Sequence, residues 1–284
     1  MKIITQNNPS FLGLGVEKSA TSWIFACLYE HPEICIPVKE INFFWEDEKW
    51  NKGISFYQNF FQERCPNAMI QGEFSTSYFY HSVVASRINQ YLPKIKLLVC
   101  LRNPVDRAYS NYRNDIMAGT IPKTLDFHTA LKSKEYYLGQ GHYKKQFTEY
   151  FKHFSKDQFY IMIYEDIAKN PKKFIQQLFR FLEVDETFIP SSLSKKINVS
   201  RTPGNVKLEG TTNRIATILH ESKWGNGLWW LLKKSGVPGL LRKINTDQSP
   251  SEGMPPDLRN ELNLLFKEDK VYTERLLNRS LPWS

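Results

Sequence analysis

The first residues whose types and spacing indicate chemistry lie in segment 15–22, which reads GVEKSATS. An apolar run ends at the start of this segment, and an apolar-periodic run begins directly after it. This order predicts a strand, a tight loop and a helix. The first N–H groups of a helix have no partners within it, and the helix dipole is positive at that end. Together with the Lys18 ammonium and the hydroxyls of Thr21 and Ser22, these N–H groups predict a site for a phosphate or sulfate.

A second group with anion-binding potential, Arg102, follows the continuous apolar run 97–101. Such a run is typical of a central strand that is buried on both faces. Asn103-Pro104 ends the strand, and Pro104 suits the first turn of a helix that carries Ser110. Ligands of open α/β sheets bind at the carboxyl ends of strands, which predicts an anion contact for Arg102 and Ser110. A structural carboxylate as the partner of Arg102 is an equal alternative.

The candidate base is Glu40, which stands among the apolar residues Ile41, Phe43 and Phe44. A carboxylate with apolar neighbours has a raised pKa and can act as a general base. The local sequence by itself favours the simpler alternative, an exposed glutamate beside a core cluster.

Four apolar runs predict buried strands, near 11–16, 68–73, 97–101 and 159–164, and helical patterns follow them. The repeated order of strand and helix predicts an α/β fold, in which helices flank a mostly parallel central sheet. This sheet would bring the carboxyl ends of the strands, and the residues described above, to one edge.

The C-terminal part is less regular. Residues 205–256 mix leucine and tryptophan with lysine and arginine, a pattern that fits a membrane-surface helix or, more often, a segment packed on its own domain as a lid. The basic, turn-prone stretch 195–204 is either a loop over an anionic ligand or a solvated connector. A closing helix is predicted at 257–278.

Composition narrows the classes of partner. The 284 residues carry a net charge of +9, which favours an anionic ligand or surface, although a solvated basic surface is the simpler alternative. No helix-turn-helix, zinc-finger or RNA-binding signature is present, so we expect no nucleic-acid partner. No apolar run approaches the roughly 18 residues of a membrane span, so we expect no stable membrane insertion. The polar start MKIITQNNPS does not resemble a signal peptide.

The four cysteines, Cys27, Cys35, Cys65 and Cys100, are scattered and form no CxxC pair. This spacing supports neither a zinc site nor a disulfide framework. We therefore expect a reducing compartment and a cytoplasmic protein.

Two familiar nucleotide motifs do not fit the first loop. A Walker-type loop has a Gly directly before its Lys, whereas Glu17 stands directly before Lys18 here. A dinucleotide fingerprint fails as well, because Gly13-Leu14-Gly15 lacks its third glycine. ATP with magnesium is therefore disfavoured.

Several segments resemble those of the PAPS-dependent sulfotransferases (PAPS is 3′-phosphoadenosine 5′-phosphosulfate), especially the branch of heparan sulfate sulfotransferases and bacterial stand-alone enzymes. Segment 15–23, GVEKSATSW, is similar to the 5′-phosphosulfate loop of that family. Segment 101–112, LRNPVDRAYSNY, is similar to its 3′-phosphate motif. Segment 39–44, KEINFF, is similar to the segment with the catalytic base in the heparan sulfate branch, and 264–283 resembles the C-terminal helix.

The resemblance implies a P-loop-NTPase-like three-layer sandwich and one sulfotransferase domain, 1–284, with a variable lid region at about 204–256. It implies transfer of a sulfuryl group from PAPS to a hydroxyl or amine of a glycan or small-molecule acceptor. The product would be adenosine 3′,5′-bisphosphate (PAP), and no metal would be needed. A nucleotide-dependent kinase on a related loop is the alternative, and a non-catalytic module for anionic glycans ranks below it.

The resemblance also implies roles for individual residues. Glu40 becomes the catalytic base, and Lys18 becomes the group that assists departure of the nucleotide. The residues implied in donor binding are Lys18, Ser19, Ala20, Thr21, Ser22, Trp23, Arg102, Ser110 and Arg201.

The chain departs from the heparan sulfate enzymes at one position. Those enzymes carry a Lys after the Glu of the second strand, whereas Glu73 is followed here by Phe74. The function of that Lys is either absent or supplied by another residue, for which Lys39 is the candidate. Lys39 and Glu73 are candidates to contact substrate, and Glu73 is also a candidate for an alternative base. The disulfide loop of the animal enzymes is missing too, which fits a cytosolic protein.

Overall fold

The structure is a computed structural model, and it describes residues 8–66, 68–195, 202–203, 246–247 and 253–283. The chain forms two compact units. The first comprises Met1–Arg107, Leu138–Asn198 and Leu262–Ser284, and the second comprises Ala108–Tyr137 and Val199–Glu261. A single domain stays a prediction, and most of the expected lid region, 204–256, lies outside the described residues.

The first unit is built on a sheet of five strands in the order β2-β3-β1-β4-β5, in which all neighbours run parallel. The strands are β1 (Phe11–Gly15), β2 (Ile34–Cys35), β3 (Ile70–Phe74), β4 (Lys96–Leu101) and β5 (Phe159–Ile163). The predicted α/β fold with a parallel central sheet is therefore confirmed. The strand order reverses at β1, and ligands of open α/β sheets bind at such a point.

Side chains of β4 show how the layers form. Leu97, Val99 and Leu101 belong to one apolar cluster, whereas Leu98 and Cys100 belong to another. Because successive side chains of a strand point to opposite faces, the two clusters lie on the two faces of the sheet. The predicted burial of this strand on both faces is confirmed.

Helices cover both apolar clusters. The helices of the described residues are α1 (Thr21–Tyr29), α2 (Asp47–Trp50), α3 (Ile54–Arg64), α4 (Ser82–Tyr91), α5 (Pro104–Ala118), α6 (Phe127–Ser133), α7 (Tyr136–Gly139), α8 (Tyr143–Tyr150), α9 (Tyr164–Lys169), α10 (Pro171–Leu182), α11 (Pro256–Leu265) and α12 (Lys267–Leu277). Helices α1 and α10 contribute side chains to one cluster, and α4 and α8 contribute to the other. The first unit thus has three layers, helix, sheet and helix.

The closing helix differs from the prediction. Two helices, α11 and α12, replace the single helix expected at 257–278, and they meet at Phe266. The Phe266 ring is buried and lies against Gly141, where an added Cβ would be 2.7 Å from the ring.

The second unit contains the antiparallel pair β6 (Thr202–Pro203) and β7 (Thr246–Asp247).

The prediction that the cysteines form no disulfide is wrong, because Cys35 and Cys65 are bonded. Strand β2 pairs with β3 so that Cys35 lies opposite Gln71, and the Gln71 side chain donates to the Cys65 carbonyl. This pairing brings the two Cα atoms to 5.7 Å across a sequence separation of 30. Cys27 and Cys100 are buried core residues, as expected.

Among the residues that the structure describes, no helix combines the length and the apolar character that a membrane crossing requires.

Candidate functional site

The loop between β1 and α1 presents an open helix start. Lys18 and Ala20 adopt the left-handed conformation, with φ of 68° and 58°. No side chain caps α1, and its first turn contains no acidic residue. The uncapped N–H groups and the positive end of the dipole therefore face the same space, which suits an anion.

Ser19 gives this loop a second anion-binding feature. Its side chain is fully buried, and among the described residues its hydroxyl has no hydrogen-bond partner. A buried hydroxyl without a partner costs about 1–3 kcal/mol, so an anionic oxygen at this position would relieve that cost. The loop is tightly confined, because a Cβ added at Gly15, whose φ is 126°, would lie 2.3 Å from the Thr76 carbonyl oxygen.

The indole of Trp23 faces away from this space. It is buried in the core, and its Nε1 donates to the carbonyl of Ser192 at 3.0 Å. The structure therefore gives the Trp23 side chain a packing role, and the contribution of Trp23 to donor binding stays a prediction.

Arg102 lies at the end of β4 and contacts the same loop. Its Nη1 donates to the Lys18 carbonyl at 2.8 Å, and its guanidinium lies 4.5 Å from the centre of the Tyr164 ring. The Tyr143 hydroxyl donates to the Arg102 carbonyl at 2.7 Å. The partner is thus a backbone carbonyl instead of the carboxylate considered as an alternative. One of five guanidinium N–H donors makes this contact.

The arrangement within the first unit does not test two other predicted residues, Ser110 and Arg201. Ser110 lies in α5 in the second unit, and Arg201 lies outside the described residues. Their contribution to a phosphate site stays a prediction.

Glu40 lies on an exposed turn beside β3. Its backbone has φ 66°, its N–H donates to the Phe74 carbonyl at 3.0 Å, and its Oε1 accepts from Thr76 Oγ1 at 3.0 Å. The neighbours Ile41 and Phe43 are buried, whereas the Glu40 side chain is 37% exposed. The apolar surroundings expected from the sequence therefore do not enclose this carboxylate, which stays accessible to a ligand.

Lys39 links the two parts of the site. Its Nζ donates to Ser22 Oγ at 2.9 Å and lies 3.8 Å from Glu40 Oε1. Burial lowers the pKa of Lys39, and the charge of Glu40 opposes that shift. The structure thus brings the start of α1 and the candidate base together through one ammonium group.

Glu73 does not contact solvent, and its expected role as a substrate contact or alternative base is not supported by this placement. The side chain is fully buried. Its oxygens accept from Tyr57 at 2.7 Å, from Ser75 at 2.5 Å and from Tyr78 at 2.8 Å. Burial raises the pKa of Glu73, and these hydrogen bonds oppose the shift.

The sequence reasoning missed the three hydroxyl residues Ser75, Thr76 and Tyr78. They follow the carboxyl end of β3, next to β1, and Thr76 contacts the candidate base directly. A run of hydroxyl residues at the carboxyl end of a predicted strand is the signal that could have identified them.

Comparisons with known proteins agree with this geometry. A family model described as "Sulfotransferase domain" matches residues 9–205. The human "Heparan sulfate glucosamine 3-O-sulfotransferase 5" is 27% identical over 196 residues, which are 64% of this chain and 55% of that protein. The "Bifunctional heparan sulfate N-deacetylase/N-sulfotransferase 1" of Caenorhabditis elegans is 24% identical over 222 residues, 71% of this chain and 26% of that protein. The chain thus spans only about half or less of the length of these two relatives.

A solved structure matches over a larger share. The sulfotransferase from Alicyclobacillus acidocaldarius has a TM-score of 0.67 and 25% identity, and the match covers 96% of this chain and 97% of that one. This likeness confirms the predicted P-loop-NTPase-like fold, which sulfotransferases share. The family model does not favour the kinase alternative, and because it covers more than half of the chain, the protein belongs to the sulfotransferase family.

Proposed function

We propose that the protein transfers a sulfuryl group from PAPS to a hydroxyl or amine of a glycan or small-molecule acceptor and releases PAP. The observation that carries this proposal is the hydrogen bond from Lys39 to Ser22. This contact supports the proposal, because Lys39 connects the candidate base Glu40 to a helix start that suits a sulfate or phosphate.

On the donor side, the proposal assigns the 5′-phosphosulfate to the loop before α1. Lys18 and the N–H groups near Ala20, Thr21 and Ser22 would hold its oxygens. The buried Ser19 hydroxyl fits this assignment, because it lacks a partner among the described residues.

The proposal assigns the 3′-phosphate to Arg102, Ser110 and Arg201. Two observations support the assignment to Arg102. It lies at the carboxyl end of β4, and it donates a hydrogen bond to the Lys18 carbonyl in the loop before α1. A guanidinium that is held by one N–H group keeps further donors for a phosphate.

In the proposed reaction, the acceptor atom replaces the phosphate oxygen of the donor at sulfur by an in-line displacement. The acceptor oxygen or nitrogen forms a bond to sulfur while its proton passes to Glu40. The bond between sulfur and the phosphate oxygen of the donor breaks, and its electron pair stays on that oxygen. Lys18, Lys39 and the start of α1 stabilise the developing negative charge. We propose that Lys39 fills the role of the Lys that Phe74 replaces.

For the acceptor, we propose a glycan hydroxyl or amine. The relatives named above are heparan sulfate enzymes, and the net charge of +9 suits an anionic glycan. Nucleic acid is not part of the proposal. The bacterial stand-alone type is favoured because the bacterial sulfotransferase is matched over 97% of its length.

The donor is tested by calorimetry of the purified protein with PAP and, in parallel, with ATP and magnesium. We expect PAP to bind and ATP with magnesium to bind far more weakly. Tighter binding of ATP than of PAP would contradict the proposal. Labelled PAPS is then offered with a panel of glycans and small alcohols and amines, with and without EDTA. Transfer that survives EDTA would support a reaction without a metal, and transfer abolished by EDTA and restored by a divalent ion would contradict it.

The cytoplasmic location also stays a prediction, although its support from the cysteines is gone. Cys35 and Cys65 are paired, and disulfides persist in oxidising compartments. Alkylation of the thiols before cell lysis, followed by mass spectrometry, measures whether Cys35 and Cys65 are free or bonded in the cell. Free thiols at both positions would support the cytoplasm, and a bonded pair would oppose it.

A further inference from the structure

The backbone of the base segment, 39–44, which carries the candidate base Glu40, has an uncommon conformation. Glu40 and Asn42 adopt left-handed φ values of 66° and 61°. Non-glycine residues rarely adopt this conformation unless the surrounding contacts hold them in it. Contacts with residues outside the segment must therefore hold its backbone in this conformation.

Two hydroxyl groups make the holding contacts. The Asn42 N–H donates to Ser75 Oγ at 3.0 Å, and the Phe44 N–H donates to Tyr78 Oη at 3.3 Å. Both acceptor hydroxyls donate in turn to one oxygen, Glu73 Oε1, at 2.5 Å and 2.8 Å.

This geometry gives Glu73 a directing effect. A hydroxyl has one hydrogen and two lone pairs, so a hydroxyl that donates to Glu73 must present a lone pair to its other neighbour. The carboxylate therefore turns Ser75 and Tyr78 into acceptors for the amides of Asn42 and Phe44. Thr76, directly after Ser75, donates to the carboxylate of Glu40 itself.

We propose that Glu73 is a positioning residue, which holds the base Glu40 in place by orienting the hydroxyls of Ser75 and Tyr78. The proposal rests on the function proposed above for Glu40. It differs from a substrate contact, because the Glu73 side chain is fully buried.

The chain provides a matched pair of variants. Tyr57 and Tyr78 are both fully buried, and each donates one hydrogen bond to Glu73. The Tyr78 hydroxyl also accepts from the backbone of the base segment, whereas no such contact is made by the Tyr57 hydroxyl among the described residues. Tyr57→Phe and Tyr78→Phe therefore each remove one hydroxyl that donates to Glu73. Only Tyr78→Phe also removes the acceptor of the Phe44 N–H in the base segment.

The first measurement is amide hydrogen exchange, which does not depend on catalysis. In Tyr78→Phe we expect the Phe44 amide to exchange at least about tenfold faster, and in Tyr57→Phe we expect no change at that amide. The turnover number should fall about tenfold in Tyr78→Phe, with the affinity for PAP unchanged, and stay within about twofold of wild type in Tyr57→Phe. Equal effects of the two variants would overturn the proposal.

Substitution of Glu73 tests the carboxylate itself. Glu73→Gln keeps an oxygen that can face Ser75 and Tyr78, whereas Glu73→Met has a similar size and no comparable acceptor. We expect Glu73→Met to accelerate exchange at Asn42 and Phe44 and to lower turnover at least about tenfold, and Glu73→Gln to restore both to within about threefold of wild type. Equal losses in both variants would contradict the hydrogen-bond mechanism. If Glu73→Met does not fold, the tyrosine pair decides.

The outcomes are separable from those for the proposed function. A wild-type protein that neither binds PAP nor transfers sulfate would refute the function, while the exchange rates would still test the network. Normal transfer by wild type together with unchanged exchange in Tyr78→Phe would refute the inference alone.

Discussion

The donor loop, 16–22, and the base segment, 39–44, meet at the contact between Lys39 and Ser22, yet they hold their functional groups differently. In the donor loop the groups proposed to bind the anion come mainly from the backbone, at two left-handed residues and an uncapped helix start. In the base segment the backbone is itself held by side chains, which converge on the buried carboxylate of Glu73.

This difference predicts which substitutions the donor loop and the base segment tolerate. A site made of backbone N–H groups keeps most of its donors when one side chain is changed. A site held by a network of buried hydroxyls loses its geometry when one link is removed, because each remaining member is left with an unmatched partner. We therefore expect sharper effects from changes on the side of the base than from most changes in the loop.

The largest effect is expected from Glu40→Gln. This variant removes the proposed base but keeps the size of the side chain, and turnover should fall by about two to four orders of magnitude. Steady-state kinetics with PAPS and a working acceptor measures it. Glu48→Gln is the control, since that carboxylate is 86% exposed and pairs only with Lys52 among the described residues. Wild-type turnover of Glu40→Gln would remove Glu40 as the base.

The next largest effect is expected from Lys18→Ala. Turnover should fall by about two to three orders of magnitude, because the charge that develops on the departing phosphate oxygen loses its ammonium partner. The uncapped helix start should preserve part of the affinity for PAP. Lys152→Ala, on an exposed i,i+3 pair with Glu149, is the control. A loss of PAP affinity as large as the loss of turnover would contradict the view that backbone groups do most of the binding.

A smaller effect is expected from Arg102→Ala. The affinity for PAP should fall by about 10- to 100-fold, the range that corresponds to one or two charged hydrogen bonds. Calorimetry measures the change, and Arg180→Ala serves as the control, because Arg180 pairs with Glu186. Unchanged affinity would restrict Arg102 to its contact with the Lys18 carbonyl.

The smallest effect concerns pH and the buried network. Burial raises the pKa of Glu73 above 4.5, so the folded protein binds a proton more tightly there than the unfolded chain does. The contribution of this carboxyl to stability is thus fully present below the unfolded pKa and is lost as pH rises through the folded pKa. The unfolding free energy of wild type minus that of Glu73→Gln should decline across this range. Urea unfolding at several pH values measures it, and a difference that rises with pH would contradict the shift.

Local patterns allowed much of this protein to be predicted from its sequence. The apolar run before Arg102 predicted β4, and the segment around Lys18 predicted the open helix start, because each depends on neighbours in the chain. The buried position of Glu73 was missed, since it depends on tyrosines 16 residues before and 5 residues after it.

The pairing of Cys35 with Cys65 was missed for a similar reason. It depends on the parallel register of β2 with β3, which spacing along the chain does not reveal. The burial of the Trp23 indole was missed as well, because its direction depends on packing against core residues that are distant in the sequence.

The disulfide between Cys35 and Cys65 has a further consequence for the base segment. The bond closes a ring of chain that contains the whole of 39–44, so the candidate base Glu40 lies within a covalent loop. A protease that cuts once inside this ring gains access to one peptide bond but does not release a fragment. The nicked protein keeps both pieces joined and differs from the intact chain by the mass of one water until a reductant separates them.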